Sequence, residues 1–90
     1  MKTDLVFEQF LESSFETQDI QLASCLFALG ASLTAIDRTN PNRCKFVFED
    51  SNDLQKTVEA YWQRLLSVEP QTLLAALKAI KSRLYDSQHG

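Results

Sequence analysis

The chain is poor in the groups on which most chemistry depends. It has one histidine, two cysteines, two glycines and two prolines in 90 residues. A single histidine and two cysteines cannot fill a four-ligand structural zinc site. The histidine is His89, next to the end of the sequence, which makes it a poor general base. Glycine occurs only at positions 30 and 90, so no glycine-rich loop can cradle a phosphate. No uncharged apolar run approaches the length of a membrane span. Asp4 and Glu8 stand where a secretion signal would place a basic stretch before an apolar one, so the cytoplasm is the expected compartment. With no signal, both thiols are expected to be reduced. No catalytic residue, metal ligand or cofactor is expected.

The remaining composition is that of one small globular domain, 44% hydrophobic and 23% charged, with a net charge of −3. The charge is unevenly placed. Asp4, Glu8, Glu12, Glu16 and Asp19 face only Lys2 in the first thirty residues, whereas Arg38, Arg43 and Lys45 cluster with no acid between 38 and 45. The carboxylates Glu49, Asp50 and Asp53 adjoin one another, a pattern that suits helix capping better than a cation site.

Periodicity divides the chain into elements. Val6, Phe7, Phe10 and Leu11 follow helical spacing, and Ser13 and Ser14 end that pattern. Asp4, Glu8, Glu12 and Glu16 would then form a self-repelling row at i, i+4 spacing. A second helix is expected over 17–29, with Thr17 as N-cap, Ile20, Ala23, Leu26 and Phe27 on one face, and Gly30 beyond its end. Leu22, Cys25 and Leu29 make it apolar on most sides, so it is either the most buried helix or one that faces a partner.

From Leu33 the period changes to two. Residues 33–38 and 43–49, joined by Thr39-Asn40-Pro41-Asn42, read as a β-hairpin with Cys44, Phe46 and Phe48 on its inner face. Asn52 and Gln55 have capping-box spacing at the start of a third helix, which carries Leu54, Val58, Tyr61, Trp62 and Leu65 as a stripe. Pro70 opens a last helix with Leu73, Leu77, Ile80 and Leu84 inward and Leu74 and Ala76 beside them. The expected fold is therefore α+β, a two-stranded antiparallel hairpin packed on three to four helices in the order α-α-β-β-α-α. Residues 1–14 form an acidic N-terminal extension with a short helix, 15–85 the single domain, and 86–90 a frayed tail.

Two surfaces could carry function. Arg38, Arg43 and Lys45 on the hairpin suit phosphate contacts, against the bland reading of an edge strand kept soluble by cations. A basic strand followed by two helices resembles the layout of ribbon-helix-helix repressors, which implies nucleic-acid binding through paired strands. The other surface is Tyr61 and Trp62, with Leu22 and Leu29 of the apolar helix, as a protein interface.

Longer strings of residues are also familiar. Phe15-Glu16-Thr17-Gln18-Asp19-Ile20, then Ile36-Asp37-Arg38-Thr39-Asn40-Pro41, then Phe46-Val47-Phe48-Glu49-Asp50-Ser51 and Tyr61-Trp62 resemble a family of small bacterial and phage proteins catalogued as a domain of unknown function. Leu77-Lys78-Ala79-Ile80-Lys81-Ser82-Arg83-Leu84-Tyr85 is similar to that family's terminal helix. The resemblance implies a stand-alone domain from a bacterium or mobile element, and no catalytic residue. The expected function is a non-enzymatic protein-interaction module, a homodimer or a partner of another protein, with no membrane and no small-molecule substrate. Nucleic-acid binding through the basic hairpin is the first alternative. The second is an acidic inhibitor of a nucleic-acid enzyme, using residues 4–16.

Overall fold

Six elements follow one another in a computed structural model that describes the backbone of residues 14–89 and the side chains of 14–85. They are β1 (Ser14–Thr17), α1 (Ile20–Ala28), β2 (Leu33–Asp37), β3 (Lys45–Glu49), α2 (Asn52–Trp62) and α3 (Pro70–His89). The order is β-α-β-β-α-α, with a three-stranded antiparallel sheet in place of the expected two-stranded hairpin and three helices among the described residues. The expected helix and acidic row before residue 14 lie outside the described residues. Ser14, expected to break a helix, instead opens a strand.

The extra strand has a physical reason. A lone hairpin is marginal in water, and β3 is shielded on both edges because β1 and β2 pair with it from either side. Phe15 lies opposite Phe48, and Thr17 opposite Phe46, while Leu33 and Ile36 face the same two phenylalanines from β2. An irregularity between Leu33 and Ala35 keeps both Leu33 and Ile36 on the inner side, and Thr34 Oγ1 donates to the Val47 carbonyl there at 3.1 Å. The turn behaves as expected, with Arg43 N–H donating to the Asn40 carbonyl at 2.9 Å across Pro41. Arg43 and Cys44, expected within the strand, instead precede β3, and Cys44 is half-buried. The likeness to ribbon-helix-helix repressors fails at this point: the central strand has no free edge with which to pair a second copy.

Phe46 and Phe48 lie almost fully buried beneath Leu22, Ala23 and Leu26 of α1, Leu54 of α2 and Ile80 of α3. Five consecutive residues of α1, Leu22 to Leu26, are buried, more than a full turn. That all-round burial accounts for the apolar character of α1, which packs against β1, α2 and α3. Ser24, within that run, donates its hydroxyl to the Ile20 carbonyl at 2.7 Å.

The caps differ from expectation by one or two residues. Asp19 caps α1 in place of Thr17, its Oδ1 accepting from the N–H groups of Gln21 and Leu22 at 2.9 and 3.3 Å. Thr17 Oγ1 accepts from Asp19 N–H. Ser51 caps α2 through Leu54 N–H at 3.0 Å, displacing the expected Asn52–Gln55 box. Glu69 caps α3 immediately before Pro70, accepting from Gln71 N–H, Thr72 N–H and the Thr72 hydroxyl. On α3, Ala76 and Ile80 are buried, whereas Leu74, expected beside the inner face, is exposed. The α3 backbone is helical to His89.

Candidate protein-interaction surface

The expected phosphate-contacting cations take separate positions. Arg38 turns inward: Nη1 donates to the Ile36 carbonyl at 3.2 Å, and Nη2 to the carbonyls of Arg83 and Leu84 at 3.1 and 3.5 Å. Its buried Nε has no protein partner. Arg38 therefore ties the end of β2 to α3, with its guanidinium turned to backbone carbonyls. Lys45 pairs with Glu16 across the sheet at 3.8 Å and stands opposite Asp37. Arg43 is exposed and shares an open hollow with Lys45, Asp37 and Thr39. The register puts Glu16, Asp37 and Glu49 on the outer sheet face with Lys45, so that face is acidic on balance. The Asp37 carboxyl is held below its ordinary range, first by the Thr39 hydroxyl, then by Thr39 N–H, and further by Lys45. A duplex would meet more carboxylates than cations there.

The carboxylates at the β3–α2 junction serve local structure. Asp50 Oδ1 accepts from Ser51 N–H at 2.8 Å and from the Gln55 amide at 2.9 Å. Among the described residues no three His, Cys, Asp or Glu side chains group to hold a metal ion. Both cysteines are free thiols. Burial, and then the Asp19 charge, push the Cys25 thiol up, which favours the protonated form.

The aromatic pair divides as adjacent helical residues must, about 100° apart. Tyr61 is half-buried and donates its hydroxyl to Asp19 Oδ2 at 3.3 Å, so Asp19 caps α1 with one oxygen and anchors α2 with the other. Burial, followed by the Asp19 charge, raises the Tyr61 phenol. Trp62 is 63% exposed, its ring packed edge-to-face on Tyr61 with centroids 5.0 Å apart. Of the other expected interface residues, Leu22 is a core residue at 1% exposure and offers no surface to a partner. Leu29 is exposed, but it lies with Leu54 and Thr57 at the opposite end of α2 from Trp62. Trp62 and Leu29 do not form one patch.

Leu65 is the residue that periodicity placed inside and the structure places outside, at 73% exposure. The chain leaves α2 in a Schellman turn: Arg64 N–H donates to the Tyr61 carbonyl at 3.1 Å and Leu65 N–H to the Ala60 carbonyl at 2.9 Å. Arg64 takes a left-handed backbone with φ of 63°, a conformation that favours glycine. The end of α1 makes the same turn with Gly30 (φ 96°) in that place, and there the following residue, Ala31, packs on the core. After Arg64 the following leucine packs on nothing comparable. The result is a strained turn with Trp62 exposed before it and Leu65 exposed after it.

A three-stranded sheet covered on one face by helices, with apolar side chains open at a helix end, defines a small α+β domain. No helix among the described residues is long and apolar enough to cross a membrane. The chain belongs to the family described as Domain of unknown function (DUF5659), whose model matches residues 12–86. No curated protein and no solved structure matches it.

Proposed function

We propose that the protein is a non-enzymatic interaction module of the cytoplasm that self-associates through Trp62 and Leu65. The observation that carries this reading is the strained turn at Arg64, on either side of which a tryptophan and a leucine, three residues apart, are both exposed. Left-handed backbone at a non-glycine residue costs about 1–3 kcal/mol, and such strain concentrates where a surface is used. A half-exposed tryptophan is a frequent interface anchor. The occupant is a second copy because the patch is apolar and flanked by one acid and one base, Glu59 and Arg64, a self-complementary arrangement for a two-fold contact. The apolar character of α1 no longer argues for a dimer, since the fold buries it internally.

Light scattering on the full chain tests the proposal. A mass of two chains at micromolar concentration is expected, falling to one chain in Trp62→Ala and Leu65→Ser. Both side chains are exposed, so the variants should keep the wild-type circular dichroism. A wild-type monomer, or dimers unaffected by both substitutions, would overturn it.

A further inference from the structure

A second open face lies along α3 and differs from the first in charge. Leu74, Lys78, Lys81 and Tyr85 follow one another at spacings of four, three and four residues, which places them in one stripe about 16 Å long. With Leu77 and Ser82 they line an open groove of about 480 Å³. Leu74 and Tyr85 are 64% and 54% exposed, and both lysines are exposed. Neither lysine is ion-paired among the described residues. The third cation of the helix, Arg83, is used elsewhere, its guanidinium 5.8 Å from the Phe27 ring centroid. Residues 70–85 hold no acid, so nothing within that span offsets the lysines.

The charge pattern selects the occupant. A four-three-four spacing reads the same in either direction, so a second α3 sets lysine against lysine whether it runs parallel or antiparallel, which opposes self-pairing. Two exposed apolar side chains bury little area in a lipid surface, and binding there scales with that area. Two cations also make few phosphate contacts, and affinity for a nucleic acid grows with their number. Unpaired lysines set between apolar side chains on one helix face call for the opposite pattern on the partner. We propose that the α3 groove docks an acidic amphipathic helix of another protein, apolar residues at i and i+11 meeting Leu74 and Tyr85 while carboxylates at i+4 and i+7 meet Lys78 and Lys81. The apolar ends supply the buried area, and the ion pairs set register and exclude basic helices. This inference is independent of self-association at Trp62, which uses a different surface.

A fluorescent synthetic peptide of about 20 residues tests it, with leucines at i and i+11 and glutamates at i+4 and i+7 on an alanine and glutamine background. The full chain is titrated in the Leu65→Ser background, which keeps association at Trp62 out of the reading. Anisotropy should show saturable binding, about tenfold weaker in K78E/K81E and recovered there by the peptide with lysines in place of its glutamates. Leu74→Ser should weaken binding as well, and amide shifts in ¹⁵N-labelled chain should map to residues 74–85. All three side chains are exposed, so the variants should keep the parent circular dichroism. No saturable binding, or binding indifferent to the charge of the peptide, would overturn the proposal. Shifts along α3 on concentrating the chain alone would overturn it in favour of a second copy. Co-sedimentation with phosphatidylserine vesicles that K78E/K81E abolishes, without peptide binding, would overturn it in favour of a lipid surface. None of these outcomes bears on the mass measured for the wild-type chain.

Discussion

Removing the Arg38 side chain tests whether the basic turn serves the fold or a ligand. The guanidinium makes one well-placed bond from β2 to α3, to the Arg83 carbonyl at 3.1 Å, and a longer one to Leu84 at 3.5 Å. The bond to Ile36 is local. Hydrogen bonds from a charged donor contribute about 1.5–3 kcal/mol when buried. The Arg83 contact is exposed, which lowers its share of that range. Arg38→Met keeps most of the aliphatic stem and removes the buried, unpartnered Nε, which offsets part of the loss. The expected net cost is about 1–2 kcal/mol. For a domain of this size that lowers Tm by about 4–8 °C per kcal/mol. Arg38→Lys, which cannot fork between two carbonyls, should fall between wild type and Met. Urea and thermal unfolding followed by circular dichroism read the effect. An Arg38→Met variant within ±0.5 kcal/mol of wild type, the usual range for surface substitutions, would refute the tether.

The two Schellman turns predict opposite responses. Arg64→Gly should stabilise by about 0.5–1 kcal/mol, strain relief outweighing the entropy glycine adds to the unfolded chain, and Gly30→Ala should destabilise by about 1 kcal/mol. A Cβ at Gly30 meets nothing within 4 Å, so its cost is backbone strain alone; paired unfolding curves measure both. Glu69 is held below the ordinary glutamate range, first by Gln71 N–H and then by the Thr72 hydroxyl and N–H. A depressed carboxyl stabilises the fold above its unfolded pKa and loses that contribution as pH falls through its folded value. Glu69→Gln should therefore flatten the decline in stability below the ordinary glutamate range, in acid titrations of the urea midpoint, and an unchanged slope would contradict the cap.

The parts of the fold that follow from strong periodicity were legible in the residues. The pairing of β2 with β3, the Pro41 turn, Gly30 at the end of α1 and Pro70 at the start of α3 all stand where spacing and turn chemistry put them. Strand β1 was not legible, because Ser14-Phe15-Glu16-Thr17 is four residues with one large apolar side chain, and adjacent serines look like a break. The alternation of Phe15 and Thr17 with Ser14 and Glu16 was the available signal, and the instability of a lone hairpin was the reason to seek it. At the surface, spacing put Arg38 with Arg43 and Lys45, but strand neighbours from distant sequence (Glu16 and the α3 carbonyls) decide what each cation does. Leu65 matched the α2 stripe by number, yet helix termination at Gln63 removed it from that face. Helical geometry allowed Tyr61 and Trp62 to divide, one inward and one at the border, but it favoured both in the core, and the end of α2 just after Trp62 decides for the division.

Trp62 is the only tryptophan, so its emission reports directly on the patch proposed to mediate self-association. On dilution of the full chain from micromolar to nanomolar concentration, the emission maximum should shift to the red as Trp62 passes from a dimer contact into water, and Leu65→Ser should show the red-shifted spectrum throughout. An emission maximum that is red-shifted and constant across the whole dilution series would contradict the dimer.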